Sequence, residues 1–175
     1  MPADIAILNN VTINGVSYNV TRVDDYAFNG CAHLRSVTFE SDSPVTDIGD
    51  SAFGFCDSLQ SVVFGSNVDR FGEYVFSACN SVEVTLKSTT PPNLSCEEGE
   101  WTWSGAVSKV YVPNGYLDDY LADEKWSSFE SILYESSSMD NTGVLIDIVL
   151  PVAVILSLIN ILIFVGFSNK RKHRV

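Results

Sequence analysis

Basic charge is what this chain most lacks. Ten Lys and Arg stand against 22 Asp and Glu in 175 residues, a net charge of -12, and four of the ten (Lys170, Arg171, Lys172, Arg174) crowd into the last six positions. Residues 1–143 therefore hold 6 basic against 21 acidic groups, about -15, and carry no continuous basic surface to meet phosphate. Nucleic acid is excluded as a partner. Histidine and cysteine are few as well, two and four, with no CxxC pair; His33 lies on a repeat surface and His173 in the basic tail, which leaves no ligand set for zinc. The sequence has no Gly-rich phosphate loop, Ser-centred elbow or Cys-His arrangement, and its Asp residues lack EF-hand spacing. Acidic pairs at Asp24-Asp25, Glu97-Glu98 and Asp118-Asp119 are what so many carboxylates yield by chance. No catalytic residue, cofactor or metal is expected, and the chain reads as non-enzymatic. Residues 1–20 also lack the basic n-region and apolar h-region of a secretory leader.

What is present is a repeat. VTRVDDYAFNGCAHLRSVTF from Val20, VTDIGDSAFGFCDSLQSVVF from Val45 and VDRFGEYVFSACNSVEVTL from Val68 align at offsets of 25 and 23 residues. Phe28, Phe53 and Phe76 recur, as do Cys31, Cys56 and Cys79, then Leu34, Leu59 and Val82, each unit being led by Val23, Ile48 or Phe71. Val84 and Leu86 fall one residue early relative to Val37 with Phe39 and Val62 with Phe64, which points to a small deletion or the approach of a terminal unit. A period of 20 to 29 residues with Leu, Val and Phe at fixed places is that of a leucine-rich solenoid, where each coil buries its one apolar edge against its neighbours. Ser36-Val37-Thr38-Phe39 and Ser61-Val62-Val63-Phe64 read as parallel strands of successive coils, and the Ala-Phe and Gly-Cys pieces as turns. Gly30 and Gly49 fit tight corners; Phe55 and Ala78 stand in the place of Gly30 in later units, so that corner is not expected always to need a positive φ. The equivalent cysteines are expected to stack as small buried free thiols, with Cys96 apart in an irregular stretch.

The pattern of a hydrophobic lead, Ala-Phe, two residues, Cys, two residues, Leu, then Val-x-Phe resembles the leucine-rich repeats of the BspA type, found in bacterial and protist surface proteins. Val11 to Thr21 is similar to the lead-in of that family, and Val107 to Pro113 with Gly115 to Tyr120 and Trp126 to Phe129 to its closing unit. The resemblance covers about residues 10 to 135. It implies a surface repeat protein of adhesive type with no catalytic residues. Read from the residues, the closing unit is a strand, a Pro-Asn-Gly turn and a short amphipathic helix, whose Tyr116, Leu117, Tyr120, Leu121 and Trp126 cover the last coil. Before it, residues 89–106 are the least patterned stretch and hold Trp101 and Trp103. Two readings of these stand: binding contacts on a projecting loop, or side chains packed on the last coil.

Residues 144–167, VLIDIVLPVAVILSLINILIFVGF, are 24 residues with one charge, enough for a membrane-spanning helix across about 30 Å of hydrocarbon. The basic cluster behind them predicts a cytoplasmic tail and an exterior repeat domain. Met139-Asp140-Asn141-Thr142-Gly143, the apolar run and the Lys/Arg tail resemble a Gram-positive cell-wall sorting signal, with Thr142-Gly143 at the junction a sortase would cut. Met and Asp replace the Leu and Pro of that signal, and a plain anchor behind a polar linker is the other reading.

The expected organisation is an N-terminal lead-in (1–19), three coils (20–88), an irregular loop and capping unit (89–135), a polar linker (136–143), a single transmembrane helix (144–167) and a basic cytoplasmic tail (168–175). The expected fold class is a short leucine-rich repeat solenoid with a C-terminal capping strand and helix. The expected function is adhesion or protein-protein binding at the cell surface, with the lipid bilayer, a protein or cell-surface ligand and a sortase as partners. A tail-anchored intracellular adaptor and a membrane-proximal piece of a longer adhesin are the alternatives.

Overall fold

The computed structural model describes residues 2–40, 42–95, 103 and 106–136. Alternating apolar residues build a six-stranded parallel sheet from β1 (Asp4–Ile7), β5 (Ser36–Phe39), β7 (Ser61–Val63), β9 (Val82–Thr85), β11 (Val107–Val112) and β12 (Leu133–Glu135), in that order. Ile5, Val37, Val62, Val84, Val110 and Leu133 are register partners along one inward row. The second wall is a four-stranded parallel sheet of two-residue strands, β4 (Arg22–Val23), β6 (Asp47–Ile48), β8 (Arg70–Phe71) and β10 (Asn93–Leu94). Its inward row is Val23, Ile48, Phe71 and Leu94, the lead position of each unit.

Between the walls each coil runs through an arc whose amides alternate in purpose. Tyr26, Phe28 and Gly30 donate to the Asp50, Ala52 and Gly54 carbonyls of the next coil, and Ser51, Phe53 and Phe55 to Glu73, Val75 and Ser77. Ala27, Asn29 and Cys31 close turns within their own coil. This alternation requires left-handed residues at two places per coil, which are Tyr26, Ser51 and Tyr74 at one and Gly30, Phe55 and Ala78 at the other, with φ of 74°, 56° and 56° in the second set. The corner therefore needs a positive φ in every unit, contrary to the expectation from Phe55 and Ala78. Inter-coil hydrogen bonds hold side-chain-bearing residues in a conformation that favours glycine by roughly 1 kcal/mol. Ala78→Gly, at an exposed position, is accordingly expected to raise stability by about 0.5–1 kcal/mol, read as a higher urea midpoint at unchanged slope. Gly49 owes its identity to something else: a Cβ there would strike the Asp25 carboxylate and backbone, and one at Gly72 would strike Asp50 in the same way. Those carboxylates accept from the Asp50 and Glu73 amides at 3.0 and 2.9 Å, so coil spacing at this corner is set by an Asp-to-amide ladder.

The core is aromatic along its length. Phe28 lies on Phe53 at 5.3 Å and 2° between planes, Phe53 on Phe76 at 5.7 Å and 13°, and Phe76 on Trp103 at 5.3 Å and 28°. Phe28 is half-buried at the first coil, while Phe53 and Phe76 are fully buried. The one-residue deletion is taken up before β9, where Ser81 adopts φ 56° and Val82 remains buried.

Two features extend the stack beyond the aligned units. β1 adds a strand before the first unit and is followed by an antiparallel hairpin, β2 (Asn10–Ile13) and β3 (Val16–Asn19), joined by Asn14 and Gly15 at φ 52° and 80°. Such a turn suits the right-handed twist of a two-residue hairpin. At the far end Leu94 and Trp103 fill the lead and ring positions of a further coil, closed by α1 (Leu117–Ala122) and a 3-10 helix (Trp126–Ile132). Tyr120 and Trp126 are fully buried under that cap, Leu117 and Leu121 pack against the core, and Tyr116 stays exposed.

The expectation of a membrane-spanning helix is corrected. Among the described residues no helix is long and apolar enough to cross a membrane; the six residues of α1 rise only about 9 Å against the roughly 30 Å of hydrocarbon. Residues 144–167 lie outside the described residues, as do Thr142, Gly143 and the tail at 168–175. The architecture is a parallel-sheet solenoid with short C-terminal helices. The bilayer partner, the single-pass localisation and the transmembrane and signal-anchor descriptions are corrected as well, since among the described residues no spanning helix supports them.

Candidate interaction face

Parallel strands in register bring every second side chain of successive coils into a row. On the outward side of the large sheet one row is Ala6, Thr38, Val63, Thr85, Tyr111 and Tyr134, and a second is Asp4, Ser36, Ser61, Glu83 and Lys109. Tyr111 and Tyr134 close the first row with ring centroids 5.9 Å apart. In the second, Lys109 Nζ donates to Glu83 Oε1 at 2.9 Å, and that bond raises the lysine pKa. The face thus joins an uncharged Thr/Val/Thr track to an aromatic end, with one ion pair and one further carboxylate, Asp4, which accepts from the Ser36 hydroxyl at 2.8 Å. These residues were missed by a reading that followed the buried anchors. The signal was the unspecified position in Val-x-Phe, which strand alternation turns outward.

The opposite wall is charged instead. Arg22, Asp47, Arg70 and Asn93 are register partners. Arg70 Nε meets Asp47 Oδ1 at 2.7 Å and its Nη1 reaches Ser95 Oγ at 3.1 Å. The hydrogen bond from Arg70, then that from Thr46, holds the Asp47 carboxyl below its usual value. Because the folded pKa is depressed, the pair's contribution is present above the ordinary Asp range near pH 4 and is lost as pH falls through the folded value. Both side chains are about a third exposed, so its size is about 0.5–1 kcal/mol. Asp47→Asn should lower stability by that amount at pH 7 and leave a shallower acid limb, measured as urea midpoints between pH 2 and 7.

Of the positions singled out in the sequence, Leu34, Leu59 and Val82 are buried beside Phe53 and Phe76. Cys56 and Cys79 are buried free thiols and Cys31 is a half-buried one. The Cys56 and Cys79 thiols donate to the Phe28 and Phe53 carbonyls of the preceding coil at 3.1 and 3.0 Å. The Cys79 thiol beside it and then burial push the Cys56 pKa up, so it stays protonated and unreactive. Cys96 and Trp101 lie outside the described residues. Trp103 is 1% exposed, wedged among Phe71, Phe76, Trp126 and Phe129. Beside the cap, Pro91 to Leu94 and Asp123 to Lys125 line an open cleft of about 360 Å³. Among the described residues no group of His, Cys, Asp and Glu is arranged to hold a metal ion.

The last edge of the small sheet shows how the stack stops. Asn93 and Ser95 turn their amides to Asp69 and Phe71 of the coil before, so the Pro92 and Leu94 carbonyls face outward, where another coil would supply amides. Trp126 Nε1 binds the Pro92 carbonyl at 2.7 Å and Lys125 Nζ the Leu94 carbonyl at 2.5 Å. Two side-chain donors replace the missing strand and block edge pairing.

The coil stack, its two parallel walls and its cap define a leucine-rich repeat solenoid. The chain belongs to the BspA type leucine-rich repeat family: the family model described as "BspA type Leucine rich repeat region (6 copies)" matches residues 5–95. Membership of this non-catalytic, protein-interaction fold places the chain outside the enzymes. It is similar to a leucine-rich repeat protein from Bacteroides ovatus ATCC 8483, at 18% identity and a TM-score of 0.36 over 66% of this chain and 42% of that one. It is also similar to a leucine rich cell surface protein from Faecalibacterium prausnitzii A2-165, at 16% identity and a TM-score of 0.30 over 70% of this chain and 46% of that one. The chain thus spans less than half the length of either structure. Among curated proteins nothing matches.

Proposed function

We propose that the chain is a surface-displayed adhesive module that binds another protein through the outward side of its large sheet. The carrying observation is the uncharged row Thr38, Val63, Thr85, Tyr111 and Tyr134, set at strand spacing on a domain that is otherwise strongly acidic. Tyrosines held by sheet backbone offer amphipathic contact area at little entropic cost, and aromatic anchors dominate interface energetics.

The test is binding of full-length chain, immobilised by a tag, to a panel of purified host and bacterial surface proteins. For a protein in the panel that binds, Tyr111→Ala with Tyr134→Ala should weaken binding at least tenfold. Arg22→Ala, on the opposite wall, should leave it unchanged. Equal loss in both variants would remove the face from the contact, and exclusion of the chain from protease shaving of intact cells would remove surface display.

A further inference from the structure

The β2–β3 hairpin has two unlike faces. Direct cross-strand partners share a face, so Val11 with Tyr18 and Ile13 with Val16 form one side, and Thr12 with Ser17 and Asn10 with Asn19 the other. The apolar side is open: Val11 is 41% exposed, Ile13 57%, Val16 and Tyr18 52% each, and Leu8 on the approach 53%. A two-stranded ribbon gains little stability by itself, and single exposed apolar residues are ordinary, but four on one face of a small ribbon, with Leu8 exposed just before it, form a patch of the kind that marks a contact.

We propose that this patch joins two copies of the chain, hairpin face to hairpin face about a two-fold axis. Charge is the first reason for choosing a second copy. Residues 5–21 contain no Asp, Glu, Lys or Arg, although residues 1–143 carry about -15. Two such acidic bodies repel over most of their surface, and the ribbon offers an uncharged meeting place, with the Glu40 and Asp42 carboxylates engaged by Asn9 at its base. Area is the second. The five residues leave roughly 500 Å² uncovered, so an isologous pair can remove up to roughly 1,000 Å² from water, the lower bound for a specific interface. A two-fold contact reaches that size because the same patch is contributed twice. Closure is the third. Trp126 and Lys125 occupy the outward carbonyls of β10 at the opposite end of the small sheet, so head-to-tail addition of a coil there is blocked, and the hairpin contact gives a closed dimer.

The test uses the full chain at tens of micromolar in light scattering coupled to size exclusion. The expected mass is about twice the 19.2 kDa of one chain. Ile13→Lys with Tyr18→Lys, both at exposed sites, should weaken association at least tenfold and give single-chain mass with an unchanged circular dichroism spectrum. Thr12→Lys with Ser17→Lys, on the polar side of the same hairpin, should remain dimeric. A monomeric wild-type chain would overturn the proposal, as would a dimer that survives the first pair of substitutions. A monomer in which cross-linking joins the hairpin to residues 144–167 of the same chain would overturn it in favour of an intramolecular occupant.

Discussion

Phe53→Ala is expected to cost about 3–5 kcal/mol of folding stability, the usual range for truncating a fully buried Phe. Phe53 is wholly enclosed. It lies in a near-parallel stack between Phe28 and Phe76 and meets Phe64 edge-on at 6.3 Å and 63°. Alanine leaves a cavity between two coils whose backbones are fixed by their own ladder, so the walls cannot collapse into it. The loss should appear in urea as a lower midpoint at a similar slope, and a loss under 1 kcal/mol would contradict the coil register. The half-buried Phe28 holds the same place in its unit, so Phe28→Ala should cost less.

Trp126→Ala is expected to cost a comparable amount, about 3–5 kcal/mol, for a reason that joins packing to edge closure. The ring is fully buried against Tyr120 at 5.2 Å, Trp103 at 5.7 Å and Phe129 at 6.0 Å. Its N–H also satisfies the Pro92 carbonyl. Trp126→Phe separates the two contributions: it keeps most of the ring contact and leaves the carbonyl without its donor, at about 1–3 kcal/mol. If the phenylalanine variant matched the wild type in chemical denaturation, the indole would be acting as filler alone.

The repeat was legible because its anchors recur in type and spacing: Phe28, Phe53 and Phe76 each stand five residues after their lead. The further coil was hidden because its ring, Trp103, stands nine residues after Leu94 and differs in type from the phenylalanines. β1 was hidden for a similar reason, since Asp4–Ile7 carries strand alternation without the Phe and Cys that define a unit. The left-handed corners could not be read, because a hydrogen bond to the next coil imposes positive φ on Phe55 against its local preference, and Ala78 adopts the same φ of 56° at the equivalent place. Trp126 and Tyr120 were legible as cap residues from amphipathic spacing. The Trp126 and Lys125 bonds to β10 carbonyls depend on tertiary placement, which no local pattern encodes. The outward Thr/Val/Thr/Tyr/Tyr row likewise exists only once register is set.

The arc alternation gives the coil stack its most direct test, amide hydrogen exchange of the full chain resolved by residue. Amides that cross between coils, at Phe28, Phe53 and Phe55 in the arcs and Phe64 and Leu86 at the strand ends, should show the strongest protection. Those of the β2–β3 hairpin should exchange sooner than these. Fast exchange at Phe53 and Phe55, with protection confined to their turn-bonded neighbour Gly54, would contradict a stack of coils in this register.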